Sequence, residues 1–247
     1  MQSAGPLPPD EIDAVVFDMG GVFAVPAPGP VSQIVRDAGV PLELDDMSAR
    51  LSHYSGVAAI TALLADIEVG ESDPAVWQAY DRAYFSSAGL SGEALTRAIA
   101  ARQSARVSGD SAAIWRHVIP ENRQGFSAIA GLRPVAVVTN NNGTAIAQCL
   151  EMELCQIGPG PLPEVAAIVD SGVIGIAKPD PRIFTPALEA LGTSAARTLY
   201  VGDTVHADVL GASAAGMPVV QLDPYDHHTD YDHWRLPDLV ALAAYLA

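Results

Sequence analysis

Four polar residues stand where a fold could bring them to one site. Asp18 ends the apolar run Ala14-Val15-Val16-Phe17 and is followed by Met19, Gly20 and Gly21. Thr139 ends a second run, Val135 to Val138. Lys178 opens the segment Lys178-Pro179-Asp180-Pro181. Gly202 and Asp203 follow Thr198-Leu199-Tyr200-Val201, and Asp208 comes shortly after. Two carboxylates at converging strand ends can hold a hard divalent cation such as Mg2+, which takes oxygen ligands. A threonine hydroxyl and a lysine ammonium complete a cradle for phosphate, and a glycine turn can aim backbone N–H groups at an anion. The chemistry this set suits is phosphoryl transfer to Asp18 with a metal as clamp. Aspartate also favours turns, so the first stretch taken alone leaves open a plain strand-to-turn reading.

The elements that must position these residues are legible in the pattern. Short, continuously apolar runs read as strands buried on both faces of a parallel sheet. Five are predicted: Ala14 to Phe17, Val135 to Val138, Val165 to Val169, Thr198 to Val201 and Pro218 to Leu222. Helices are predicted between and after them, at Thr144 to Glu153, Arg182 to Leu191, Val205 to Ala215 and Leu236 to Leu246. Strands alternating with helices imply an α/β fold with a doubly wound parallel sheet. In such a sheet the carboxyl ends of the strands share one edge, where ligands bind.

Between the first and second strands the pattern changes. Ala24-Val25-Pro26-Ala27-Pro28-Gly29-Pro30 reads as a linker, since proline and glycine interrupt regular elements. From Val31 to Val118 the spacing is helical: Val31 to Ala38, Ala58 to Leu64, a third helix capped by Ser72-Asp73-Pro74 and carrying Trp77, Tyr80, Tyr84 and Phe85, a fourth at Leu95 to Ala101, and a fifth near Ala112 to His117. This predicts an all-helical insertion, with its aromatic residues packing rather than binding ligand. The expected domains are residues 1–25 with 119–247, and the insertion 26–118.

Composition narrows the function. Twenty-nine acidic residues against 13 basic ones leave a net charge of −16, which disfavours nucleic acid or an anionic membrane surface as a partner. A site for an anionic substrate must then be made positive locally. Twelve of the basic residues are arginine and only Lys178 is lysine, which marks a position where a compact ammonium serves and a planar guanidinium does not. Cys149 and Cys155 fit neither a disulfide framework nor a zinc spacing and read as reduced cytoplasmic thiols, half-buried on a helix. Met1 to Pro9 reads as a short disordered lead-in rather than a signal peptide, and no window suits a bilayer span. The histidines of Asp226 to Trp234 read as part of a solvated acidic loop. Oligomeric state is not legible, and a homodimer is left open.

The four polar segments together resemble the haloacid dehalogenase superfamily. Its first motif, a strand followed by Asp-x-Asp-Gly-Thr/Val, is matched by Asp18-Met19-Gly20-Gly21-Val22. Its strand-end Ser or Thr is matched by Thr139, its Lys by Lys178-Pro179-Asp180-Pro181, and its Gly-Asp with a second Asp by Gly202, Asp203 and Asp208. The resemblance spans roughly residues 11–25 and 119–247 and implies a Rossmannoid core with a helical cap, the insertion giving no specific match of its own. It implies that Asp18 is a nucleophile forming an aspartyl phosphate that water hydrolyses. Thr139 and Asn140, with Gly20 and Gly21, would contact the phosphoryl group, and Lys178 would neutralise it and orient Asp18. Mg2+ would be held by Asp18, the Gly20 carbonyl and Asp203, with Asp208 behind, pairing with Lys178. A small phosphorylated metabolite would be the substrate.

One position departs from the pattern. The second motif residue after the nucleophile is usually Asp, acting as general acid; here it is Gly20, which keeps the carbonyl and lacks the acid. General acid–base catalysis is typically worth about 10²–10⁴ in rate. Three readings follow: a phosphatase for substrates whose leaving group needs little protonation, with His206 as a substitute donor to consider; a dehalogenase-like hydrolase, although that branch carries Asp-x-Tyr-Gly-Thr at this point; or a binding protein without turnover.

Overall fold

The structure, a computed structural model, describes residues 6–66, 73–107 and 114–247. The chain divides into two compact units, Met1–Phe23 with Val118–Ala247, and Ala24–His117.

The first unit is built on a six-stranded sheet. Its strands are β1 (Ala14–Phe17), β4 (Val135–Thr139), β7 (Ile168–Asp170), β8 (Thr198–Gly202), β9 (Val219–Leu222) and β10 (Arg235–Leu236); β2 (Ala24–Pro26) pairs with β3 (Trp115–Val118), and β5 (Gln156–Ile157) with β6 (Glu164–Val165). The order is β10-β9-β8-β1-β4-β7 and every pairing within it is parallel. Strand β1 lies mid-sheet with all four residues buried, which is why its sequence is continuously apolar rather than alternating. On one face Val16, Val138 and Tyr200 pack with Ile183, Phe184 and Ala212. Elsewhere in the core Phe17, Phe23 and Phe126 stack edge to face or tilted, with centroids 4.9–5.6 Å apart. The α/β, doubly wound reading is therefore correct.

The helices are α1 (Pro28–Asp37), α2 (Asp46–Asp66), α3 (Pro74–Ser87), α4 (Gly92–Val107), α5 (Pro120–Ala130), α6 (Ala145–Glu151), α7 (Ser171–Ile174), α8 (Thr185–Leu191), α9 (Gly211–Ala214) and α10 (Leu239–Leu246). None of those described is long and apolar enough to cross a membrane. Close approach of α5 and α10 depends on Gly125, where a Cβ would lie 2.2 Å from the Leu239 backbone.

Several expectations need correction. The insertion is not all helical: the fifth predicted helix, near Ala112 to His117, is strand β3 over Trp115–Val118, and its first two residues lie outside the described ones. Trp115 and the β-branched Val118 suit a strand, and too few residues remain for a stable helix. Ala24 to Pro30 is not a linker either. It forms β2 and the start of α1, because proline is tolerated at a short strand's end and in a helix's first turn, where its missing N–H would have no partner anyway. Val165 to Val169 is broken into β6 and β7, and the last helix starts at Leu239 because Arg235–Leu236 joins the sheet as β10. Val205 to Ala215 begins as a π-type turn, Val205–Leu210, before α9. Asp73 does cap α3, accepting from Ala75 N; Ser72 lies outside the described residues. Cys149 and Cys155 are fully buried, and only Cys149 is on a helix.

The second unit packs Val31, Val35, Val57, Tyr80, Tyr84, Phe85, Ala98 and Ile99 into its own core. The expectation that its aromatics pack is met: Trp77 stacks on Tyr80, and Tyr84 on Phe85. Gly56 lets the Tyr80 ring in, since a Cβ there would fall 2.5 Å from it.

Candidate active site

The strand ends do converge. Asp18 follows β1, Asp203 follows β8, and Asp208 lies in the π-type turn beyond it, a form of helix frequent at functional sites. One carboxylate oxygen of each lies within 4.8 Å of the other two, and all three residues are buried. Lys178, only 3% exposed, reaches them from the loop before α8, through a peptide that is cis to Pro179. Its Nζ is 2.8 Å from Asp18 Oδ1, 2.7 Å from Asp208 Oδ1 and 2.9 Å from the Tyr200 hydroxyl. An ammonium carries three protons, so these three neighbours account for its whole donor capacity.

Asp208 is the fixed member. Its Oδ1 accepts from Lys178 and from the Tyr200 hydroxyl at 2.8 Å. Its Oδ2 accepts from Asp203 N at 3.2 Å, Thr204 N at 2.9 Å and Thr204 Oγ1 at 2.7 Å. The fit explains the glycine before Asp203: a Cβ on Gly202 would stand 2.2 Å from the Asp208 carboxyl carbon. Burial alone would raise the Asp208 pKa, but the Lys178 charge and these hydrogen bonds outweigh it and hold the group below the usual carboxylate range.

Asp18 is the opposite case. Burial raises its pKa most; Lys178 opposes this, Asp208 and Asp203 reinforce it, and the result is about 7. Its Oδ1 lies 2.8 Å from Lys178 Nζ, the ion pair that keeps this buried oxygen matched. Lys178 itself is pulled down by burial, yet Asp18 and Asp208 more than reverse that and hold it charged, above the ordinary lysine value. When all three carboxylates are ionised, one ammonium leaves two surplus negative charges on a set of hard oxygen donors. That donor set fits a Mg2+-sized divalent cation.

The other expected residues take varied places. Thr139 ends β4 beside Asp18's strand and is buried. Gly21 adopts φ 67°, the left-handed region open to glycine, in the turn that brings Phe23 N to Met19 O at 2.9 Å. Gly20, partly exposed, precedes it. Asn140 has a job the sequence did not suggest. Its Oδ1 accepts from Lys178 N at 2.8 Å and its Nδ2 donates to Lys178 O at 3.1 Å, so the amide clamps the lysine loop. His206 is half-buried in the π-type turn.

Two residues were missed. Tyr200 looked like strand filling, yet its hydroxyl sits between Lys178 and Asp208; a tyrosine inside an apolar run must find a partner, and that was the available signal. Gln221, fully buried in β9, is the other, and the histidine loop it touches is solvated only in part: Asp226, His227, Asp230 and Asp232 are exposed as expected, but His228 is 3% exposed and His233 is half-buried. Among the described residues, only Asp18, Asp203 and Asp208 form a cluster able to hold a metal.

A parallel α/β core whose central strand ends on a buried aspartate, with lysine and two further aspartates around it, defines a class of hydrolase. The family model described as haloacid dehalogenase-like hydrolase matches residues 12–216, and the chain belongs to that family. Among relatives, a phosphoserine phosphatase of Thermus thermophilus is 33% identical over 108 residues, 44% of this chain and 42% of that protein. The pyrimidine 5'-nucleotidase YjjG of Escherichia coli is 33% identical over 106 residues, 42% of this chain and 44% of its own length. The chain thus spans less than half the length of these relatives. Among solved structures, the putative HAD-hydrolase YfnB of Bacillus subtilis, bound to magnesium, aligns with TM-score 0.58 at 17% identity, covering 95% of this chain and 98% of that one. A 2-haloacid dehalogenase from Pseudomonas syringae aligns with TM-score 0.53 at 21% identity over the same shares. At these identities the structural matches speak for the fold.

Proposed function

We propose that the chain is a Mg2+-dependent phosphatase acting on a small phosphorylated metabolite. The observation that carries this reading is the buried Asp18 carboxylate, 2.8 Å from Lys178 and clustered with Asp203 and Asp208, with two negative charges in surplus. The relatives named as phosphatases support it. Asp18, the Gly20 carbonyl and Asp203 would hold the cation. When bound, the cation keeps Asp18 ionised and offsets charge on the phosphate oxygens. The chain's own groups do the rest. Asp18 attacks phosphorus and the leaving oxygen departs with its bonding pair. Water then hydrolyses the aspartyl phosphate, releasing inorganic phosphate and restoring the carboxylate. Lys178 holds Asp18 in line and neutralises the phosphoryl group, while Thr139 donates its hydroxyl to a phosphoryl oxygen. Asp208 and Tyr200 hold Lys178.

With Gly20 in the acid position, the favoured substrates are those whose leaving groups need little protonation, such as aryl, acyl or anomeric sugar phosphates. The inserted unit, residues 26–118, is read as the family's cap. Two free buried cysteines suit a reducing cytoplasmic setting. The test is a panel of phosphate esters assayed with Mg2+. Phosphate release that is lost on chelation supports the reading. Chloride release from 2-haloacids without added metal overturns it in favour of a dehalogenase. Binding of beryllofluoride with no turnover anywhere overturns it in favour of a binding protein.

A further inference from the structure

The histidine-containing segment between β9 and β10 is left unexplained by the site above, and it is tied to that site through one buried amide. Gln221 lies on β9 opposite Gly202 of β8 and is fully buried. Its Nε2 donates to the backbone carbonyl of Asp203 at 2.7 Å. That acceptor fixes which way the amide points, so Oε1 must face the other side, and it meets His233 Nε2 at 2.7 Å. An amide oxygen only accepts, hence His233 carries its proton on Nε2. The second Nε2 hydrogen faces His228 Nδ1 at 3.3 Å, nearer than the 3.6 Å from that nitrogen to Asp223 Oδ1.

The loop behind the histidines is held as firmly. Asp223 accepts from His227 N and His228 N, each at 2.9 Å. Arg235 Nη1 donates to the carbonyls of His228 and Tyr231, each at 2.6 Å. The backbone N–H groups of Gln221 and Asp223 donate to Trp234 O and Leu236 O, each at 2.9 Å. Polar side chains are seldom spent in a strand's core without return, because an unmatched buried amide is costly. Here the return is a rigid rod from the loop to the peptide that carries the Asp203 side chain.

We infer that Gln221 is a positioning residue: braced by His233 and His228, it fixes the Asp203 backbone and so the direction in which the Asp203 carboxylate is offered to the cation. This rests on the reading of Asp203 as a metal-holding residue. Groups that orient metal ligands typically cost about 10–100-fold in metal affinity or activity when removed.

The experiment measures Mn2+ binding directly, by electron paramagnetic resonance titration of the purified protein, alongside the metal-free melting temperature. Gln221→Leu is expected to weaken Mn2+ binding about tenfold or more, with the KM for an aryl phosphate at saturating Mg2+ unchanged within about twofold. Gln221→Met, which keeps the length of the side chain and loses donor and acceptor, serves if the leucine variant fails to fold. His233→Gln, which keeps a donor for Oε1, should retain the wild-type affinity, whereas His233→Phe should weaken it. Unchanged Mn2+ affinity in folded Gln221→Leu and Gln221→Met overturns the inference, even if melting temperature falls, and leaves the metal reading standing. A wild-type protein that binds no Mn2+, with Asp203→Asn indistinguishable from it, overturns both.

Discussion

Among the described residues, each unit buries a cluster of charge, Asp18 with Asp203, Asp208 and Lys178 in one and Asp81 with Arg102 and Arg106 in the other, and the two are built on opposite plans. In the sheet unit Asp18, Asp203 and Asp208 share one cation, Lys178, and the four come from three separate segments that meet only because the sheet is parallel. In the helical unit the surplus is positive. Asp81, fully buried, is gripped by both guanidinium nitrogens of Arg106, which also lies 4.6 Å over the Trp77 ring. Arg102, 1% exposed, shares the same aspartate's field; burial pulls its pKa down, Asp81 opposes that, and its Nη1 has no acceptor among the described residues. All three lie on α3 and α4, consecutive helices, so the cluster needs no long-range topology. Buried charges that are paired locally fix a packing arrangement. A buried surplus collected from distant strand ends is a cost to folding that a bound cation or a proton relieves. The two clusters should therefore answer mutation differently, one in activity and the other in stability.

The largest effect belongs to Asp18→Asn. Phosphate release from an aryl ester with Mg2+ should fall about 10⁴-fold or more, as when a nucleophile is deleted elsewhere. The melting temperature of the metal-free protein should not fall with it, because the amide removes a carboxylate whose pKa burial has raised to about 7, and Lys178 keeps Asp208. A variant both inactive and clearly destabilised would erase the contrast.

Asp81→Ala comes next. It strands Arg102 and Arg106, and removing one partner of a buried ion pair costs about 3–5 kcal/mol, read by urea unfolding. Arg102→Met should be neutral or stabilising, since Asp81 keeps Arg106. If Arg102→Met instead left stability alone and abolished turnover, the helical cluster would be functional and the distinction would fail.

Gly20→Asp puts a carboxylate two residues after Asp18, where the family's pattern has its acid. If the missing acid limits the enzyme, turnover of alkyl phosphates should rise about tenfold more than that of aryl phosphates, a conservative share of what general acids supply. Equal changes for both would mean that the added charge, not acid catalysis, was responsible.

How much of this was legible in the sequence follows from the same contrast. Asp18 and Asp203 could be read because each follows a buried run at the edge that the strands of a parallel sheet share, Lys178 because it is the one lysine of the sequence and opens Lys178-Pro179-Asp180-Pro181, and Asp208 from its short spacing after Asp203. Tyr200 and Gln221 could not, because inside a strand a polar residue shows only that it needs a partner, and the partner is supplied by a neighbouring strand or loop. The clamp of Asn140 on Lys178 depends on a 38-residue separation that no local pattern encodes. Strand β10 was missed because two residues carry no period, and β3 because aromatic residues serve helices and strands alike. The cluster of Asp81 and Arg102 was invisible for a different reason: on a helix, charged residues normally mark the solvated face.

The smallest effect tests both plans in one pH window. His233 is half-buried; burial and the charges of Arg235 and His228 push its pKa down, against Asp223 and Asp232, to about 4. Between pH 6.5 and 4 the unfolded chain therefore binds this proton and the folded one does not, so stability falls as pH drops through that range. Asp18 works the other way. Its folded pKa of about 7 lies above the unfolded value, so the folded state takes up the proton first and stability rises as pH drops from about 7 towards 4. The two slopes oppose, and the wild-type curve over this range, measured without metal, should be shallow. Asp18→Asn should unmask the histidine slope, a loss of about 1–2 kcal/mol on acidification once screening of a half-exposed ring is allowed for. His233→Gln should unmask the opposite slope. If both variants track the wild type, neither group is held as its surroundings imply, and the acidic cluster would no longer be a burden that the folded protein carries for its ligand.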